Sequence, residues 1–119
     1  MDGANAEEER NHHRLRAEYD QYLLLREALG PSIAGALSGI PKANIGCWSP
    51  SVEEAQRVET AAAVWLTVSA ADDADTARLW FVSSNPWLGG ETPLDALMTG
   101  RWKDVRAAAI AFEQDAWSG

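Results

Sequence analysis

Ser51 to Ser69 reads SVEEAQRVETAAAVWLTVS, and this stretch decides the fold class. Ser51 and Glu54 match the S-x-x-E capping box, in which a hydroxyl and a carboxylate reciprocally satisfy two N–H groups orphaned at a helix start. Downstream, Ala55, Val58, Ala62, Trp65, Leu66 and Ser69 recur mostly at steps of three and four, the spacing of one helix face. A strand over Ala63 to Val68 is the competing reading, but the helical period runs straight through it.

The same period continues on both sides. Upstream, Leu15, Tyr19, Tyr22, Leu25 and Leu29 form one amphipathic face, stopped by Gly30-Pro31. A short apolar segment with Ile33, Ala34, Ala36 and Leu37 is broken by Gly39-Ile40-Pro41. A brief segment, Lys42 to Trp48, is closed by Ser49-Pro50. Downstream, Asp72, Asp73 and Asp75 suit the positive end of a new helix, whose expected buried stripe is Ala77, Trp80, Phe81 and Ser84. Asn85-Pro86 ends it. Thr92-Pro93 opens another, with Thr as cap and Pro at the first helical position; Leu94, Leu97 and Met98 are its apolar side and Gly100 closes it. The last helix carries Trp102, Val105, Ala109, Phe112 and Ala116 on one face.

The pattern predicts an all-α chain of about seven helices, with no hairpin signal. Residues 1–14 read as a disordered acidic tail, 15–70 as a front unit and 71–119 as a three-helix rear unit, with the boundary near Ala70 to Asp75.

Composition narrows the function classes. The 119 residues fit one domain, and the formal net charge of −8 does not draw phosphate backbones through the overall field. Cys47 is the single cysteine, so no internal disulfide can form. His12 and His13 are adjacent and would point about 100° apart on a helix, so they do not converge on an ion. No metal or cofactor is expected. No Ser/His/Asp set is plausible with histidines only there, and Cys47 lacks a partner histidine. The expectation is a non-enzyme. An acidic start without a basic n-region or an apolar stretch reads as lacking a signal peptide. No apolar run approaches the ~20 residues of a membrane span. Both point to a cytoplasmic protein.

Gly30 to Trp48 has the spacing of a helix-turn-helix, with Ala34, Gly35, Gly39, Ile40, Ile45 and Trp48 in the packing places. A DNA-binding reading puts Lys42 to Cys47 in a major groove, with Asn44 on an adenine edge and Lys42 on a phosphate. It offers no arginine for guanine. The alternative is a second helix that only packs, which the charge balance favours.

The most informative run is Asn85-Pro86-Trp87-Leu88-Gly89-Gly90-Glu91-Thr92-Pro93-Leu94-Asp95-Ala96-Leu97-Met98-Thr99-Gly100. It describes a stiff, proline-bounded loop presenting Trp87 and Leu88, followed by a short capped helix. Gly89-Gly90 lacks the Lys-Ser/Thr and the preceding strand of a phosphate loop. In Asn85, Trp87, Leu88, Gly89, Gly90, Pro93, Leu94, Leu97 and Gly100 the run resembles the toxin-binding domain of the MbcA/ParS/Xre antitoxin family, whose pattern is N-x-W-L-G-G-x-x-P-L-x-x-L-x-x-G. Val105 and the apolar face after it match the final helix, and the front half agrees with that family's Xre-like helix-turn-helix. The resemblance spans roughly Leu23 to Trp117.

The resemblance implies an antitoxin of a type II toxin–antitoxin system. It would be a homodimer that sequesters a RES-domain, NAD-degrading toxin and lays its C-terminal end over the toxin's NAD-binding cleft. DNA would be bound mainly by the toxin–antitoxin complex, in repression of its own operon. The partner-binding residues so implied are Asn85, Trp87, Leu88, Gly89, Gly90, Pro93 and Leu94. The alternative is a helix-turn-helix transcriptional regulator acting mainly through DNA. The six tryptophans add to the binding reading, because Trp is enriched at interface hot spots. Trp48, Trp65, Trp80 and Trp102 lie on apolar faces and read as core, while Trp87 fits either role. Trp117 reads as a partner contact, with Ser118-Gly119 slim enough to enter a cleft.

Overall fold

The structure, a computed structural model, describes residues 17–39 and 50–118. These are all-helical. Residues 17–29 form α1, followed by α2 (Pro31–Ser38), α3 (Val52–Ala71), α4 (Ala74–Val82), α5 (Pro93–Met98) and α6 (Trp102–Ser118), with a 3-10 turn at Pro86–Leu88 before α5. The candidate recognition segment with Lys42 and Asn44 lies outside the described residues, as does the tail at residues 1–14.

α3 starts where the capping box requires. The Glu54 N–H donates to Ser51 Oγ at 3.1 Å and the Ser51 N–H donates to Glu54 Oε1 at 2.8 Å. The helix then buries Val58, Ala61, Ala62, Val64, Trp65 and Val68. Leu66, expected on this face, is instead 58% exposed. It follows Trp65 by one residue, which turns it about 100° around the axis, and Trp65 takes the inward position.

α3 touches α2, α4, α5 and α6, and among these helices its packing on α6 is the most extensive. Ala61 on α3 and Ala108 and Ala109 on α6 are buried in the common core, and Ala63, Val64 and Thr67 of α3 line a shallow groove with Arg106, Ala109 and Ile110 of α6. Tyr22, Leu25 and Ala28 of α1 and Ala34 and Leu37 of α2 cover one part of the core. Ala77, Trp80 and Phe81 of α4, with Ala96 and Leu97 of α5, cover another. Trp80 meets Phe81 edge-on at 5.3 Å, and Phe81 and Phe112 extend the aromatic contacts to Trp65 and Trp80. Each fully buried Leu or Phe, such as Leu25, Leu37, Leu97 and Phe81, contributes roughly 1.5–3 kcal/mol of transfer free energy. One apolar cluster runs from Tyr22 to Ala109, straight across the sequence boundary near Ala70 to Asp75.

Helix ends are closed locally. Asp73 caps α4, with Oδ1 accepting from the Thr76 N–H at 2.7 Å. Arg78 ties α4 back to α1: its Nε donates to the Ala28 carbonyl at 2.7 Å while Nη1 pairs with Asp75. Ser84, expected in the buried stripe of α4, is exposed because the helix already ends at Val82. Met98 and Ala116, likewise placed on apolar faces by spacing, are exposed at the edges of α5 and α6. Among the described residues no helix is long and apolar enough to cross a membrane.

Candidate partner-binding site

The loop between α4 and α5 is built around Asn85. Its side-chain Oδ1 accepts from the Trp87 N–H at 2.9 Å and caps the 3-10 turn. Its carbonyl accepts from the N–H groups of Leu88 and Gly90, both at 3.0 Å, and its own N–H donates to the Glu91 carbonyl at 3.1 Å. Ser84 Oγ donates to the Gly90 carbonyl at 2.7 Å. These bonds close residues 84–91 into a compact ring of chain. Two consecutive glycines permit the closure: Gly89 has φ 68° and Gly90 φ 94°, a region that costs other L-residues roughly 1–2 kcal/mol.

Arg101, at the entrance to α6, holds the loop from outside. Nη1 donates to the Leu88 carbonyl at 3.2 Å and to Glu91 Oε2 at 3.0 Å, while Nε donates to Asp104 Oδ2 at 3.0 Å. The hydrogen bonds to Asp104 and then Glu91 raise its pKa further above the ordinary arginine value, so the anchor stays charged.

The loop separates neighbouring side chains sharply. Leu88 is 1% exposed and sits in the core, whereas Trp87 is 64% exposed. Asn85 and Pro93 are also buried, and Leu94 is partly buried against the core. In this conformation the side chains of Asn85, Leu88 and Pro93 form the scaffold and do not reach an outer surface. Gly89 and Gly90 are exposed beside Trp87. Of the seven loop and α5 residues singled out by the resemblance, the structure therefore brings Trp87, Gly89 and Gly90 to the surface together. Trp117 and Ser118 belong to the last turn of α6, but their side chains, and Gly119 altogether, lie outside the described residues.

Sequence reasoning did not single out Leu79 and Val82. They are three residues apart on the outer face of α4, 63% and 48% exposed, and exposed Pro86 follows them toward Trp87. It also passed over Arg101, the first cation after the motif, with Glu91 and Asp104 on either side in sequence. Chemically the site is a rigid apolar presentation. Among the described residues no cluster of three His, Cys, Asp or Glu side chains is placed to hold a metal ion.

No protein-family model, curated protein or solved structure matches the chain.

Proposed function

We propose that this chain is the antitoxin of a two-gene toxin–antitoxin pair, which binds and neutralises a RES-type, NAD-degrading toxin through the surface carrying Trp87. The observation that carries this reading is an indole 64% exposed on a loop whose backbone is hydrogen-bonded at nearly every residue. A large aromatic side chain held in water on a fixed support loses little conformational freedom when a partner covers it, which favours affinity. Leu79, Val82 and Pro86 add apolar surface on the adjoining segment. The run Asn85 to Gly100 agrees in its spacing with the toxin-binding pattern of the MbcA/ParS/Xre antitoxins, and the acidic chain suits a basic protein surface.

The test is co-expression with the product of the neighbouring reading frame, which this reading expects to be a RES-type protein. Wild-type chain should restore growth and cellular NAD. Trp87→Ala should lose at least about tenfold in affinity, as for an aromatic hot spot, and should fail to rescue. Full rescue by that variant, at equal protein level, would remove Trp87 from the interface and with it the main support for the reading. A gel-shift with the chain alone addresses the alternative regulator role: steeply salt-dependent promoter binding without toxin would favour DNA as the primary partner.

A further inference from the structure

Met98, the last residue of α5, is one of two methionines in the chain, with Met1. Its side chain is 43% exposed. Its sulfur accepts a hydrogen bond from Arg57 Nη1 of α3 at 3.3 Å, between residues 41 positions apart. A thioether is a weak acceptor, and here it serves a full charge. Arg57 is otherwise poorly served. Arg78, Arg101 and Arg106 each meet a carboxylate, whereas Arg57 meets none among the described residues. Its Nε–H is enclosed by protein and finds no acceptor. Folded proteins leave few such donors unmade. A stronger acceptor on Nη1 would therefore improve the solvation of a cation that the fold holds loosely.

Met98 is also open to small solutes. It shares a cleft of about 210 Å³ with Glu53, Arg57, Thr99, Gly100 and Trp102. A sulfur with one lone pair turned to Arg57 keeps its second for a solute that enters there. Hydrogen peroxide attacks a thioether in this way. The sulfur lone pair takes the near oxygen and the O–O bond breaks. The proton of the near oxygen passes to the far one, which leaves as water. The thioether is oxidised by two electrons and the peroxide reduced by two. The product is a sulfoxide, polar and chiral at sulfur. Such oxidation ordinarily harms a protein by placing a polar group in packed apolar surroundings. At Met98 the balance is reversed. The side chain is nearly half in water, so little packing is lost. A sulfoxide oxygen is a better acceptor for a guanidinium than thioether sulfur. The flexible side chain can shift to make room for it. Glu53 lines the same cleft, but the added oxygen carries no net charge for it to repel.

We infer that Met98 is a site of oxidation by hydrogen peroxide, and that its sulfoxide is held by Arg57 and fastens α5 more firmly to α3. The oxidised fold is then more stable than the reduced one. Arg57 covers one side of the sulfur, so one sulfoxide epimer forms in excess. The inference makes no use of the Trp87 surface, and each can fail without the other.

The experiment treats the full chain carrying Cys47→Ser with hydrogen peroxide, so that no thiol competes. Peptide mass mapping locates the added oxygen. The two methionine sulfoxide reductases, each specific for one epimer, then measure the epimer ratio in the Met98 peptide. The native protein should give an excess of at least about threefold, and the same protein oxidised in urea a ratio near one. Oxidation should raise the melting temperature by about 2–4 °C. Met98→Leu under the same peroxide should show no rise, which separates the effect from Met1. In Arg57→Gln both the epimer excess and the rise should vanish. A Met98 that stays reduced, a lower melting temperature on oxidation, equal epimers in the native protein, an equal rise in Met98→Leu, or an unchanged response in Arg57→Gln would each overturn the proposal. The epimer ratio and the melting shift decide the matter even where the arginine variant fails to fold.

Discussion

Arg101 Nη1 donates to the Leu88 main-chain oxygen at 3.2 Å, so the first residue before α6 fixes the loop that carries Trp87. The same nitrogen also holds Glu91, where the loop closes. Arg101→Gln removes the charge and the fork together. Amide hydrogen exchange at Gly90 and Glu91 should accelerate while exchange in α3 stays unchanged. Lysine should not restore protection, since a point charge cannot serve Leu88, Glu91 and Asp104 at once. Unchanged exchange in the loop would show that its own ring of hydrogen bonds suffices.

Trp87 and Leu88 are chain neighbours with opposite tasks, and substitution should separate them. Leu88→Ala empties a fully buried site and should cost about 3 kcal/mol in denaturant unfolding. Trp87→Ala should stay within about 0.5 kcal/mol of wild type, as surface changes do. A large loss of stability in the tryptophan variant would mean that its indole supports the fold.

Gly89 isolates a purely conformational cost. A Cβ there meets nothing within 4 Å, yet φ is 68°. Gly89→Ala should therefore lower stability by about 1 kcal/mol, and Gly89→Asn by less, since Asn tolerates this region better. Thermal melts of the three proteins provide the check. Equal melting temperatures would indicate that the loop relaxes to another backbone.

The cap of α4 makes a pH prediction. The Thr76 backbone N–H, and then its side chain, hold the Asp73 carboxyl below the ordinary aspartate value of 3.8. A depressed folded-state pKa stabilises above the unfolded value and loses that contribution as pH falls through the folded one. Asp73→Asn keeps a capping oxygen but no titration. Its stability relative to wild type should improve as pH drops below about 4 and be lowest near neutrality. A difference that is flat with pH would show that the cap does not depend on charge.

What could be read from sequence was what local chemistry decides. Ser51 with Glu54, the aspartates Asp72, Asp73 and Asp75, and Thr92-Pro93 each act within four residues, and a helix starts at all three places, though only the structure singles out Asp73 as the cap. The apolar faces with Tyr22, Val58, Trp80 and Val105 are local in the same sense. Leu66 was not legible, because only the packed position of Trp65 decides which of two adjacent apolar residues turns inward. Nor was the division of labour within the loop: Asn85 and Leu88 are drawn inside by a ring of chain and by Arg101, contacts that spacing does not encode.

The long α3 gives the molecule a spine on which helices from both sides of the Ala70 to Asp75 boundary pack. Prising the early helices from the later ones would strip Val58, Val64, Trp65 and Val68 of their shelter.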